Sequence, residues 1–268
     1  RKTKEAEATK AIPALTKCLE DKDAEIRGDA CQTLAEIAFT NKLACPLPVL
    51  QALFDPVADV RGTAATYVEV YDKYPDGALK LALRAMTHED VGVRANIPTV
   101  VAKIGGKDKE VLVALRKATE DKEPQVRHNA FIALWNVTKD LPLLVPHLLE
   151  SVEDAVELGA EKENETPEMK SRRTIMELIA VASATKLREL GETQTADLAR
   201  VLIKRLTDKS ARLRRLSARA LGATAMIGDD AKAIVKELKA DKELLKLFDD
   251  SDEDVRAEAK AAVKRIAE

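Results

Sequence analysis

An Asp followed six residues later by an Arg recurs through this chain: Asp21 and Arg27, Asp55 and Arg61, Asp121 and Arg127, Asp208 and Arg214, Asp250 and Arg256. Each Arg follows an aliphatic residue (Ile26, Val60, Val126, Leu213, Val255). A small residue usually stands three places beyond it, as at Ala30, Ala64, Ala130 and Ala259. A motif that keeps one frame through a whole chain makes the sequence a stack of copies of one structural unit, so it limits the fold more than any local pattern.

Aligning the motif gives Arg27, Arg61, Arg94, Arg127, Lys170, Arg214 and Arg256, hence about seven repeats. Subtracting successive numbers gives steps of 34, 33 and 33, then 43, 44 and 42, so the repeats lengthen after the fourth. In each repeat one apolar-periodic segment precedes the Asp and another follows it, as in AIPALTKCLED and AEIRGDACQTLAEIA, which is the period of two amphipathic helices. The expected pairs are 7–20 and 23–39, 47–54 and 57–72, 76–86 and 90–104, 108–120 and 124–138, 141–158 and 167–189, 192–207 and 210–226, and 230–248 and 252–267. Proline near several starts (Pro13, Pro46, Pro48, Pro124, Pro142, Pro167) fits a position whose N–H has no helical partner. The motif aliphatic and the Ala beyond the Arg are expected in the core of the hairpin. The Asp caps the second helix or accepts from an Arg, including the Arg of the adjacent repeat, which makes a structural ladder.

Asp, then Arg after an aliphatic residue, then small residues on a helix: this pattern resembles the HEAT repeat, and the 33–34-residue steps are similar to the short variant named for phycobilisome lyases. Residues 1–140 hold the short repeats, and 141–268 the longer ones with an acidic insertion near 151–166. Repeat three has His88 where the Asp is expected, and repeat five has Asn164 and Lys170, so the ladder is expected to falter in both. The resemblance implies an all-α fold of α-α superhelix class, a single right-handed solenoid of about seven hairpins. It also implies that the second helices line a concave groove used to bind proteins. A bilin or tetrapyrrole lyase-like protein is a further reading, carried by the repeat subtype alone.

A balance of 44 basic against 46 acidic residues gives no overall attraction to nucleic acid or an acidic membrane, so any electrostatic site is a local patch. No apolar run approaches the roughly 18–20 residues that span a bilayer. Cys18, Cys31 and Cys45 lack a framework spacing and are expected as core thiols, with a Cys18–Cys31 bridge as the alternative in an exported protein. The chain opens at Arg1 inside a helical pattern, which reads as a processed or truncated end and leaves the compartment open between cytoplasm and export.

If second helices line a groove, the positions two after the motif aliphatic point outward: Gly28, Gly62, Ala95, His128, Ser171, Arg215 and Ala257. Two regions stand out from this mostly small row. In repeat four, Gln125, His128, Ile132 and Trp135 share the outward face, and together they make a hot spot for a partner, or else pack beneath repeat five. In repeat six, Arg212, Arg215 and Arg219 form a stripe, with Arg172 and Arg173 opening the neighbouring second helix. Such a stripe holds an acidic peptide, a phosphate or a nucleic-acid backbone, or else pairs with the acids of 153–165.

Catalytic and metal motifs are lacking. His88, His128 and His147 lie in different repeats, and no HExxH, CxxC pair, GxSxG or phosphate-cradling Gly loop occurs. Deoxyhypusine hydroxylase, a HEAT-like enzyme, uses His-Glu pairs to hold iron, and here only His88-Glu89 matches. The acids at 249–254 fail as a calcium loop, because Val255 stands where Gly is needed and Ala261 where a bidentate Glu is needed. The sequence therefore reads as a non-catalytic scaffold for a protein or peptide partner, without cofactor or metal. A nucleic-acid or HEAT-like DNA repair protein using the arginine stripe is the alternative.

Overall fold

The computed structural model describes residues 10–158 and 166–268, of which 155–158 by their backbone alone. Among these residues there are helices and turns and no strand. The helices are α1 (Ile12–Cys18), α2 (Ala24–Thr40), α3 (Leu47–Gln51), α4 (Ala58–Val68), α5 (Ala78–Ala85), α6 (Val91–Gly105), α7 (Lys109–Ala118) and α8 (Pro124–Thr138). They continue as α9 (Leu141–Leu158), α10 (Pro167–Thr193), α11 (Thr195–Arg205), α12 (Ala211–Thr224), α13 (Asp229–Glu237), α14 (Ala240–Leu245) and α15 (Glu253–Ala267). Seven helical hairpins follow one another, and the second helices are α2, α4, α6, α8, α10, α12 and α15.

The seventh first helix departs from the expected single span over 230–248. It breaks at Lys239, which takes a left-handed conformation (φ 60°), and resumes as α14 and a 3-10 turn over Lys246–Asp249. The chain forms two compact bodies, one ending at Lys139 and the other starting at Asp140.

In the first body the second helices pack side by side, α2 on α4, α4 on α6 and α6 on α8. Small residues at the motif positions permit this: Ala30, Ala64, Ala65, Ala130 and Ala133 are buried. In the second body α12 packs on α15 in the same manner. A Cβ built on Gly222 of α12 would lie 2.9 Å from the Ala262 Cα of α15, so the two backbones meet as closely as only glycine allows. Cys31 and Cys45 are buried free thiols, both pushed up to about 12 by burial, and Cys18 is half-buried and free.

The six-residue spacing has a direct cause. The Arg folds back over its own turn and donates through Nη1 to the carbonyl six residues earlier. Examples are Arg27 to Asp21 (2.9 Å), Arg61 to Asp55 (2.8 Å), Arg214 to Asp208 (3.0 Å) and Arg256 to Asp250 (2.7 Å). Its other nitrogens reach the next repeat: Arg27 binds Asp55 in two-point fashion (2.7 and 2.9 Å), and Arg214 binds Asp250 likewise (2.8 and 2.7 Å). Planar two-point pairs of this kind fix geometry as well as contributing energy. Each motif Asp also accepts the N–H two residues on, as Asp55 does from Val57 (2.8 Å) and Asp250 from Asp252 (2.9 Å). The expectation that this Asp caps the second helix is therefore corrected. Where a side chain caps, it is a later residue: Asp23, Asp90, Ser210 and Asp252.

Repeat three keeps the ladder although His88 replaces the Asp. The backbone carbonyl of His88 accepts from Arg94 (2.7 Å) as any residue's would, and its Nδ1 accepts the Asp90 N–H (3.0 Å) in place of a carboxylate. Asp90 supplies the missing carboxylate to Arg61 (2.8 Å), and Arg94 passes to Asp121 (2.8 Å). The expected fault at His88 is not there.

Repeat five does differ. Thr166 caps α10 by accepting from Met169 (3.2 Å), Lys170 is exposed, and Asn164 lies outside the described residues. Asp208, the carboxylate that would receive an arginine from repeat five, is held by Arg205 of its own repeat (2.8 Å).

Candidate functional site

The ladder accounts for the regular charges. Arg27 holds the Asp55 carboxyl below the usual carboxylate range, and Arg214 does the same for Asp250. At Asp90 and Asp121 burial is the largest influence and pushes the carboxyl up, but the hydrogen bonds from Arg61 and Arg94, those from backbone N–H groups and the nearby positive charge together outweigh it, and the net direction is down. A carboxylate so held is a structural acceptor, poorly suited to taking up a proton in catalysis. Among the described residues no three His, Cys, Asp or Glu side chains gather as a metal group, and no helix is long and apolar enough to cross a membrane.

Of the two readings of the repeat-four face, an open contact surface or a packed one, its side chains are largely covered. Gln125 and Ile132 are half-buried, while His128 and Trp135 are buried at 7 % and 8 % exposure. Burial pushes the His128 imidazole down, so it is neutral near pH 7. The Lys139 ammonium lies 4.1 Å from the Trp135 ring centroid, as a cation does over an aromatic face. Ala95, one repeat earlier in the same row, is also buried, and its carbonyl accepts from the Asn129 side chain (2.7 Å). Helical spacing alone places these residues outward. The Asn129–Ala95 bond ties α8 to α6 beside this row, and the periodicity of one helix carries no record of such a neighbour.

The repeat-six stripe lies between two acidic flanks. On the α9 side Arg212 donates to the Glu150 carbonyl (3.3 Å) and pairs with Asp154, and Arg215 pairs with Glu153, which is buried. On the α15 side Arg215 meets Asp254 (3.0 Å) and Arg219 meets Glu258 (2.6 Å). These arginines thus knit α9, α12 and α15 together through carboxylates at both edges. Arg173 turns to Glu177 within α10 (3.0 Å), and Arg172 is exposed. The acids Glu161, Glu163 and Glu165 of the insertion lie outside the described residues.

The feature that sequence reasoning missed lies beside this stripe. α10 packs along α9 and reaches α11, but it does not pack along α12 as α2, α4 and α6 each pack on the next second helix of the first body and α12 packs on α15. The gap is an open groove of about 490 Å³. Its α10 wall carries Ala184, Leu187 and Arg188, its α12 wall Leu216, Arg219, Ala220 and Ala223, and its floor Leu149 and Val152 of α9. Met226 and Ile227 close one end, with Met226 68 % exposed. One turn up α10 from Ala184, Val181 is 67 % exposed, and Leu178 beside it 65 %. Apolar side chains in a concave, helix-walled groove are the usual make-up of a binding surface.

Sequence models of HEAT repeats match residues 46–135 and residues 11–40. No curated protein matches the sequence. Among solved structures, the chain is similar to an engineered protein at 20 % identity, with 96 % of each chain covered and a TM-score of 0.36. It is similar to a designed armadillo repeat protein at 16 % identity, covering 95 % of this chain and 99 % of that one, with a TM-score of 0.37. A designed armadillo repeat protein in complex with a (KR)4 peptide aligns at 15 % identity over 95 % and 99 %, with a TM-score of 0.36.

Proposed function

We propose, from the premise that this is a chain of HEAT repeats, that it is a non-catalytic scaffold that binds protein segments. The groove between α10 and α12 is its main contact surface. One observation carries this reading: the groove opens an apolar, solvent-facing surface where the regular helix row is interrupted, while the ladder charges are engaged within the fold. Arg219, on the groove wall, and Arg172, exposed on α10, are the residues of the arginine group best placed to meet a partner. Gln125 and Ile132 are secondary contacts on α8. His128 and Trp135 act by supporting α8, and Arg173, Arg212 and Arg215 by holding helices.

The test places a photo-crosslinking amino acid at the exposed groove position Ala223 and, as control, at Gly28 in the first body. Crosslinked protein partners are expected at 223, lost when Ala220→Arg blocks the neighbouring turn while the melting curve is unchanged. Retention of every partner in that variant removes the groove from the reading. Tight nucleic-acid binding that falls steeply with salt and disappears on Arg212→Ala, Arg215→Ala and Arg219→Ala would overturn the scaffold reading altogether.

A further inference from the structure

We infer that the occupant of this groove is an amphipathic helix of a partner, with small aliphatic residues on its buried face and carboxylates along both flanks. This rests on the binding reading above and names the partner's chemistry.

The walls decide the occupant's backbone. Both are α-helices, whose N–H and C=O groups are already bonded internally, and the apolar side chains they present to the groove are Leu and Ala. An extended peptide laid there would bury its own N–H and C=O groups with nothing to receive them. A helix brings its backbone bonds with it.

The neighbouring packing gives the fit. α12 has two flanks. One is filled by α15, with Gly222 against Ala262, and the other, bearing Ala220 and Ala223, faces the groove. In the first body the corresponding α4 has a second helix on each side. The open flank of α12 is thus a berth of the kind this fold fills with a helix. Because α12 has 14 residues, the berth suits a helix of roughly the same number, about 21 Å long at 1.5 Å per residue.

The rim sets the charge. Arg188 stands on the α10 wall and Arg219 on the α12 wall, against one acid, Glu192. Their present mates are Glu192 (2.8 Å) and Glu258 (2.6 Å), and the two arginine side chains are 78 % and 47 % exposed. The Arg188 pair is exposed on both sides and weak, so an incoming carboxylate exchanges with it readily, while Arg219 keeps Glu258 on Nε and Nη2 and has Nη1 to offer. Positive groups on opposite walls call for acids on both edges of the docked helix.

The probes are fluorescein-labelled synthetic helices of roughly 14 residues with one Ala/Leu face: one with Glu flanks, a twin with Lys flanks, and a scrambled peptide of the Glu composition. Fluorescence anisotropy with the full chain is expected to show the Glu-flanked helix binding about tenfold or more tighter than either control. Ala223→Arg is expected to abolish that binding. Arg188→Glu, at an exposed site, leaves the melting curve unchanged and shrinks the Glu-over-Lys preference. Equal binding of the scrambled peptide, or a preference for Lys flanks, overturns the proposal. If no peptide binds while crosslinked capture through the groove persists, the partner is a protein of another shape: the helix inference fails and the scaffold reading stands. Sedimentation that shows a dimer broken by Ala223→Arg overturns it in favour of a second copy of this chain.

Discussion

In the first body each second helix from α2 to α8 lies against the next, and three arginines, Arg27, Arg61 and Arg94, each cross to the following repeat. In the second body Arg214 crosses to Asp250 and α12 lies tight on α15, but between α10 and α12 Asp208 is held by Arg205 of its own repeat and the helices stand apart. The open flank coincides with the altered ladder position. The contrast teaches that the Arg–Asp contact is a spacer as well as a tie: where it crosses, small residues meet, and where it does not, an apolar surface is left for something else.

Acid should strain the comparison most, because several carboxylates protonate together. The folded values of Asp55, Asp90, Asp121 and Asp250 are all lowered. Their contribution is therefore complete above the unfolded carboxylate value of about 4 and is lost as pH falls through the folded values below it. Hydrogen exchange resolved by helix, between about pH 5 and pH 3, should show α2 to α8 losing protection before α12 and α15. Simultaneous loss would mean that the ladder does not distinguish the bodies.

Next in size is Gly222→Val, which drives a side chain into the Ala262 backbone. It is expected to cost about 3 kcal/mol in urea denaturation, the upper range for overpacking. Asp121→Ala follows at about 2 kcal/mol, since it strips an acceptor from the largely buried Arg94 and from the Glu123 N–H. The matching Asp208→Ala should cost about half as much, about 1 kcal/mol, because its partner Arg205 is one-third exposed. Equal costs would erase the difference between a crossing contact and one kept within a repeat. Smallest is Ala223→Leu, one residue from Gly222 but on the groove wall, which should stay within about 0.5 kcal/mol.

The six-residue motif announced the helix pairs because it encodes local geometry: the Arg can reach the turn carbonyl only if a second helix starts between them. Positions such as Ala64 and Ala259 were equally legible as core, since they lie on the same face as the buried Val60 and Val255, whereas in repeat one Ala30 is buried but the expected core residue Ile26 is exposed. The capping role was misplaced by two residues, because Asp21 and Asp23 are both good acceptors and only the turn geometry separates their tasks. His88 looked like a fault because its carbonyl and Nδ1 do the work without the expected side chain. Whether Trp135 and His128 are covered stayed open, and the groove was hidden, for one reason: whether a helix face is covered depends on how its neighbours are placed, and a single helix's periodicity does not record that. The break at Lys239 left no Pro or Gly to mark it.

The crossing contacts also bear on how the chain assembles. They join groups 28, 29 and 27 residues apart in the first body and 36 in the second, so each closes a short loop at small entropic cost. Folding of such a chain can start at any repeat and spread to its neighbour, with the low contact order that favours speed. Spread from α12 toward α10 runs instead through α9 and α11, each of which packs on both helices. That makes α10 the helix expected to join the folded core of its body last and to leave it first.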